Sequence, residues 1–416
     1  MARLLTVKDA HSIVNLMVKE ATGQDATITA VDTSSFVSVG ETLLASGVEN
    51  TLNALALVLG RTFMAVRPYE AKLRIINALN SGLYANRMRK ISFYSREAQI
   101  DGASNTDLKT NFKFGYDNGS NGGQSTASMW EQNPPVPLQL TFGGSSEWED
   151  STTVYEQQLQ VAFRSEEEFI DFVSGIMTEK GNDIESQKEA FNRIALVNFM
   201  GGVIDLDQGK SVVNLTKEFN DAFGTSYTSA QLRTTYLKEF LEFFVATVKT
   251  ISDDLEYRSN KYHWSPAKTI DGVSYTLLRH TPKSRQKMVM YKPFWNMAEA
   301  MVLPEIFNDQ YLNIDNFEGV QYWQNANDGA AISVTPAIPN TTNPTAQTTG
   351  DAVSKSYVLG MIFDEDALMV DYMLDSAEAT VREARKRYHN IWWVFRKNAI
   401  NDFTENAVIF IMEDEG

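Results

Sequence analysis

The stretch VREARKRYHNIWWVFRKNAINDFTENAVIFIM, residues 381–412, decides how the rest of the chain is read. It holds two β runs. In residues 388–396, Ile391, Trp393 and Phe395 alternate with Trp392 and Val394, and residues 407–412 are apolar without interruption. Alternating or continuous runs of β-branched and aromatic residues form strands. Both faces of each run are apolar, which predicts cover on both sides. The polar residues between them, 397–406, carry Asn398, Asn401 and Asn406 and suit an antiparallel return. On pattern alone this is the C-terminal core hairpin of a globular protein.

A chain of 416 residues is long enough for about two or three domains and a large core. It has no cysteine, which excludes disulfides and thiolate zinc sites and fits a reducing cytosol. No window approaches the ~20 apolar residues of a membrane span. The start, MARLLTVKDAHSIVNLMVKE, lacks the apolar core and small-residue cleavage site of a signal peptide. A net charge of −16 argues against general nucleic-acid affinity.

In chain order, Thr6 and Asp9 stand at capping-box spacing before a helix with Ile13, Val14, Met17 and Val18 at helical intervals. Residues 21–40, rich in Thr, Ser and Val, predict an extended arm. Helices are expected over 47–60 and from Pro68 to about Leu83, with Pro in the first turn. In residues 87–96 the basic Arg87, Arg89, Lys90 and Arg96 surround Ile91, Phe93 and Tyr94. Such interleaving can mean nucleic-acid binding, but a strand with a charged solvent face accounts for it in an acidic chain. Residues 98–150 are rich in Gly, with Pro134, Pro135 and Pro137. They carry no Walker or dinucleotide pattern, and a structureless loop of that length is unusual inside a domain. An arm that orders against neighbours explains it better. Residues 153–163 are strand-like and are expected to close that arm into a hairpin.

Ser165-Glu166-Glu167-Glu168 is a capping box, with its acids at the positive end of a helix expected to stop near Gly181. A metal site there is disfavoured, because adjacent helical Glu residues diverge. The next helix, 185–200, is expected to stop at Gly201-Gly202. A single helix over 229–257 follows the Thr228–Gln231 capping box, with Leu232, Tyr236, Phe240, Phe244, Val248, Ile251 and Leu255 on one stripe. Strands are expected at 287–291, 357–363 and 368–372, a helix at 294–301, and a loop-to-strand unit at 313–322. The polar tract 324–356 predicts a low-complexity surface loop. Asp364, Glu365 and Asp366 suit a solvated turn better than a cation site. His11, His263, His280 and His389 follow no metal spacing. No Gly-x-Ser-x-Gly elbow is present, and no catalytic constellation emerges, so no enzyme, cofactor or metal is expected.

The basic segment at Arg385 and Tyr388, the aromatic strand 392–395 and the Asn-Ala-Val strand 406–410 resemble the closing part of tailed-phage major capsid proteins, most closely those of short-tailed phages. The order of elements extends the similarity over nearly the whole chain. The resemblance implies an α+β, HK-97-like phage capsid fold with an N-terminal arm and helices (1–85) and an extended loop hairpin (86–164). It also implies a peripheral domain with a long spine helix (165–202 and 376–416), and an inserted axial domain (203–375). It implies self-assembly into hexamers and pentamers that form an icosahedral head shell enclosing DNA. The protein would then be a virion component assembled in the host cytoplasm, with a separate scaffolding protein, a portal and head accessory proteins. The hairpin of one subunit would lie over the peripheral domain of the next, so Arg87, Arg89, Lys90 and Arg96 are expected to meet Glu166, Glu167 and Glu168 of a neighbour. The alternatives are an encapsulin-like compartment, distinguished by its content, and an enzyme with an unrecognised site.

Overall fold

A computed structural model describes residues 7–22, 30–45, 47, 50–51, 53–55, 73, 76–78, 87–95, 135–143, 146–206, 211–266, 268–270, 273–301, 316–340, 346–381, 383 and 385–414. In chain order the elements are α1 Val7–Thr22, α2 Thr33–Ala45, β1 Asn77–Ala78, β2 Arg87–Phe93, β3 Pro137–Gly143, β4 Ser146–Tyr155, α3 Glu156–Ala162 and α4 Glu166–Leu206. They continue with β5 Val212–Asn214, α5 Leu215–Phe223, α6 Ser229–Leu232, α7 Leu237–Glu256, β6 Lys268–Ile270, β7 Val273–Tyr275, β8 Gln286–Tyr291, α8 Lys292–Met301 and β9 Asn316–Val320. The rest are β10 Ile332–Val334, β11 Ala337–Pro339, β12 Gln347–Thr349, β13 Val353–Lys355, β14 Val358–Asp364, β15 Leu368–Ala379, β16 Tyr388–Asn401 and β17 Ala407–Ile411.

The two β runs of the opening stretch do not form a hairpin. β16 lies between β15 and β4 in the four-stranded sheet β1-β15-β16-β4, whereas β17 lies between β5 and β14 in the five-stranded sheet β5-β17-β14-β8-β9. The intervening turn is fastened elsewhere: Asp402 donates its N–H to Ala367 O (2.7 Å), Trp264 to Phe403 O (2.9 Å), and Ala407 to Tyr262 O (2.9 Å). These bonds send the chain from one sheet into the other. The residues 376–416 therefore supply a strand to each sheet. β17 is buried on both faces as its pattern predicts. Ala407, Ile409 and Ile411 enter one core with the spine helix, and Val408, Phe410 and Met412 another with α7. β16 is not: His389, Ile391, Trp393 and Phe395 point inward, while Trp392 is 36% exposed on the opposite face.

The spine, α4, is one continuous helix of 41 residues, about 60 Å at ~1.5 Å per residue. Ser165 caps it, its Oγ accepting the Glu168 N–H at 3.2 Å. The helix runs through Gly181 and through Gly201-Gly202, where stops were expected. A helical glycine costs only ~1 kcal/mol relative to alanine. Phe169, Val173, Leu196, Phe199 and Met200, all buried along the spine, offset that. At Gly201 and Gly202 the missing side chain is itself the point. A Cβ would come within 2.5 Å of Val334 Cγ1 and 2.3 Å of Phe403 Cε1 respectively.

Several other expectations change. Residues 33–40 are helical, within α2. Its start is held by Asp32, whose Oδ1 accepts the Ser35 N–H at 2.8 Å. The Ser35 amide and hydroxyl, with the Ser34 hydroxyl, lower that carboxyl to about 2. Phe36 and Leu43 of α2 join Ile13, Val14, Met17 and Val18 of α1 against Phe163 and Phe169. The expected helix 68–83 is interrupted, since Leu73 has φ 63° and β1 pairs parallel to β15. Most of that span, Thr6, and residues 96–134 lie outside the described residues; of the expected helix 47–60, the described residues 50–51 and 53–55 are helical. The hairpin is closed by β3, not by 153–163. β3 pairs with β2 from Arg87↔Gly143 to Phe93↔Pro137, whereas β4 pairs with β16 and the chain turns helical at Glu156.

The helix expected over 229–257 is broken between α6 and α7. There the Gln231 carbonyl accepts three successive amides, Thr234, Thr235 and Tyr236, and the Thr234 hydroxyl bonds back to Ala230 O, a local competitor of the helix. The polar tract 324–356 is no plain loop. It folds into two antiparallel ribbons, β10–β13 and β11–β12, which pack on the glycine stretch of the spine. Asp364 is not solvated but 4% exposed, accepting from the Thr281 hydroxyl at 2.8 Å. Glu365 and Asp366 flank the Arg285 guanidinium.

The spine glycines separate two roles by experiment. Gly202→Ala should lower unfolding stability by the ~1–3 kcal/mol of an overpacked core. Gly175→Ala, with nothing within 4 Å of its Cβ position, should raise it by roughly 0.5–1 kcal/mol. Urea unfolding of the isolated subunit measures both.

Candidate assembly surface

The candidate surface starts at the hairpin β2–β3. Its inner face carries Leu138 and Leu140, which pack with Leu277 under Tyr94. Its outer face shows Ile91 at 59% and Phe93 at 58% exposure. A two-stranded hairpin is marginal by itself, so its root must be fastened. Backbone bonds join Ser95 and Thr276 in both directions, at 2.8 and 3.2 Å. Arg279 donates from Nη2 to Ser92 Oγ (2.6 Å) and from Nε to Thr404 O (3.0 Å).

Lys90 is the centre of this root. Its ammonium is paired with both Asp402 and Glu405, and Arg279 Nε lies 3.4 Å from Glu405. Burial works against the Lys90 charge, but Asp402 and Glu405 outweigh it and hold the ammonium above its ordinary range. Burial pushes the Glu405 carboxyl up, against the pull of Lys90 and Arg279. The turn closes on itself as well, with Asp402 Oδ1 accepting the Thr404 N–H (2.9 Å) and hydroxyl (2.6 Å). Beneath it His263 is buried, Nε2 2.9 Å from Leu277 O and Nδ1 3.2 Å from Asn406 Oδ1.

The charged residues expected at subunit contacts are thus divided. Arg87 and Arg89 lie on β2, and Arg96 is outside the described residues. Lys90 is engaged by the turn of its own chain. Glu166 is paired with His11 of α1, while Glu167 and Glu168 are exposed on the first turn of the spine. The residues that receive Lys90, Asp402 and Glu405, were missed by sequence reasoning. The usable signal was the self-capping Asp402-Phe403-Thr404 pattern, which marks an ordered turn. Among the described residues no group of three or more His, Cys, Asp or Glu could hold a metal ion, and no helix is long and apolar enough to cross a membrane.

A family model described as Phi29-like phage major capsid protein matches residues 105–411. No curated protein matches the sequence. Among solved structures, the capsid of Staphylococcus phage Andhra is similar at a TM-score of 0.48 and 10% identity, over 83% of this chain and 85% of that one. A structure of the head fibre and inner core protein of native bacteriophage P68 is similar at 0.47 and 10% identity, over 82% and 84%. The capsid of Cyanophage P-SCSP1u is similar at 0.41 and 10% identity, over 84% and 90%.

Two outcomes test the root. Lys90→Met leaves two carboxylates facing Arg279 alone. Its cost in chemical unfolding should rise well above the ~0–1 kcal/mol of an exposed pair, towards the ~3–5 kcal/mol of a broken buried one. Lys217→Met, at the exposed Asp221 pair, should stay within the lower range. Separately, burial holds the His263 pKa below its ordinary 6.5, opposed by the Leu277 and Asn406 acceptors, with Arg279 pushing it down and Asp402 up. The folded chain therefore takes up this proton less readily than the unfolded chain. Its contribution is complete above pH 6.5 and is lost as pH falls below it. The melting temperature should fall over that acid window, and His263→Gln should flatten the slope.

Proposed function

Because this chain belongs to the Phi29-like phage major capsid proteins, we propose that its hairpin and spine are the parts through which copies clasp one another into hexamers and pentamers of an icosahedral shell. The protein is a major capsid protein of a phage head and a component of the virion. The single observation that carries this reading is the family match over most of the chain. The anatomy supports it. A two-stranded hairpin, rooted by ions and presenting Ile91 and Phe93 outward, is shaped to bury on a neighbour what one subunit leaves bare.

In this reading the chain has the HK-97-like arrangement. Residues 1–85 are the N-terminal part, 86–164 the extended loop, 165–202 with 376–416 the peripheral domain, and 203–375 the axial domain. The C-terminal segment ties the last two together through β16 and β17. A separate scaffolding protein, a portal and head accessory proteins act with it in the host cytoplasm, and the shell encloses DNA without sequence-specific binding. A net charge of −16 suits such a wall, because it repels the packed polyanion. Of the charged set, Lys90 and Glu166 have partners within one subunit; the contacts proposed between subunits join Arg87, Arg89 and Arg96 to the exposed Glu167 and Glu168.

Light scattering and negative-stain microscopy of the purified chain, with and without its scaffold, should show capsomers or closed particles. A strict monomer under every assembly condition overturns the reading, and particles formed around protein cargo without DNA would favour a compartment shell. Glu167→Lys should lower particle yield without moving the subunit melting temperature, and so should Arg96→Glu. The double variant should recover part of the yield. Exposed pairs contribute only ~0–1 kcal/mol each, but a shell repeats each contact in every subunit.

A further inference from the structure

The turn that joins β15 to β16 carries charge of the opposite sign to the chain. Residues 381–388, VREARKRY, hold four basic residues and one acidic one, whereas the whole chain has a net charge of −16. Arg385, Lys386 and Arg387 stand in succession in the turn and are all exposed. Backbone bonds fix their positions. Arg387 donates its N–H to Glu383 O (2.9 Å), Glu383 donates to Tyr388 O (3.0 Å), and Glu156 of α3 donates to Arg387 O (3.2 Å). The Glu383 carboxylate accepts the Lys386 N–H at 2.5 Å. Arg387 is held at φ 53°, a conformation rare for a residue with a side chain, and such outliers concentrate at functional sites. Beside the turn, Tyr388 of β16 faces Tyr155 of β4 in register. Their ring centres are 6.0 Å apart, and Tyr155 is 46% exposed. Three cations on a fixed turn and a pair of phenols thus share one end of the sheet.

We propose that this end of the sheet binds the phosphate backbone of duplex DNA, independently of its sequence. Arg385, Lys386 and Arg387 take phosphate oxygens, and the Tyr155 and Tyr388 hydroxyls donate beside them. Arg, Lys and Tyr are side chains that make such contacts. A duplex carries one charge per ~1.7 Å of its axis, so a row of adjacent cations meets more than one phosphate at once. A turn already ordered by its own backbone loses little entropy on binding. That the duplex is the packaged one rests on the shell reading; the affinity of the turn for a duplex does not. The acidic remainder of the wall repels DNA, so the turns are local points of attachment, repeated in every subunit.

Fluorescence anisotropy of the purified full-length subunit with a short labelled duplex of random sequence tests this. The logarithm of the binding constant should fall with the logarithm of salt at a slope of about −3, three phosphates at ~0.9 each. Arg385→Gln, Lys386→Gln and Arg387→Asn together should weaken binding about tenfold or more and flatten that slope. Asn is chosen at 387 because it tolerates a positive φ. Replacing the exposed Lys217, Lys238 and Lys249 by Gln removes the same charge elsewhere and should change affinity far less. In the wild type, ultraviolet cross-linking and mass spectrometry should place the duplex on the peptides that hold Tyr155 and Tyr388. If the turn variant does not fold, this cross-link map decides. No binding at low salt, equal loss in the two triple variants, or cross-links only elsewhere overturn the proposal. So does a turn variant that binds DNA as the wild type does and fails only to assemble, which makes the turn a contact with an acidic segment of another copy. Subunits that bind the duplex at the turn but never form particles uphold the inference and overturn the shell reading.

Discussion

One buried turn, residues 402–406, carries the constraint on which this subunit depends. It must deliver β16 to one sheet and β17 to another, and it must do so with Asp402, Thr404 and Asn406 each at or below 2% exposure. Burying a carboxylate in that way is tolerated only when charge and hydrogen bonds compensate it. The compensation comes from far along the chain: Lys90 from the hairpin, Arg279 from the segment before β8, and amides of the turn itself. The ions that satisfy the turn therefore also fix the hairpin. Orientation of the hairpin and junction of the two sheets are one interaction, not two.

The rest of the packing follows from that junction. β17 can separate two cores only because the turn places it inside the five-stranded sheet, between β5 and β14, with one face towards the spine and the other towards α7. The spine in turn must let the turn and the ribbons come close. It does so through Gly201 and Gly202, where Phe403 of the turn and Val334 of the ribbon occupy the space of the absent side chains. A feature that reads as a helix stop in one dimension is a contact surface in three.

That difference shows what was legible in the sequence. The strand character of 388–396 and 407–412, the Ser165 cap, the α7 stripe and the strand at 287–291 were all readable, because each depends on side-chain period or on a cap a few residues away. Strand partners were not readable. Nothing local in 397–406 says whether its polar residues face water or a Lys 312 positions away. The same holds for the charged set at the hairpin. Lys90 looked like the solvent face of a strand because its two carboxylate partners lie beyond the range of any local pattern. The extended arm expected over 21–40 failed at 33–40 for a smaller reason: Asp32 and Ser35 form a cap whose spacing was there to be read, but the Thr, Ser and Val that follow have low helix propensity.

A subunit built this way suits repeated assembly. Its strongest fastenings, the ion cluster at the hairpin root and the two cores around β17, lie within one copy and stand before any neighbour arrives. Among the residues it leaves outward are Ile91 and Phe93 on the hairpin and Glu167 and Glu168 on the first turn of the spine. Weak terms of that kind let a misplaced neighbour dissociate, because each contact alone holds it only briefly. Closure of a symmetric shell then multiplies them, since a correctly placed copy makes all of them at once. The rigid root matters to this balance. A hairpin free to swing would lose ordering entropy at every contact proposed for it, whereas one already held by Asp402 and Glu405 has given up that freedom within its own subunit.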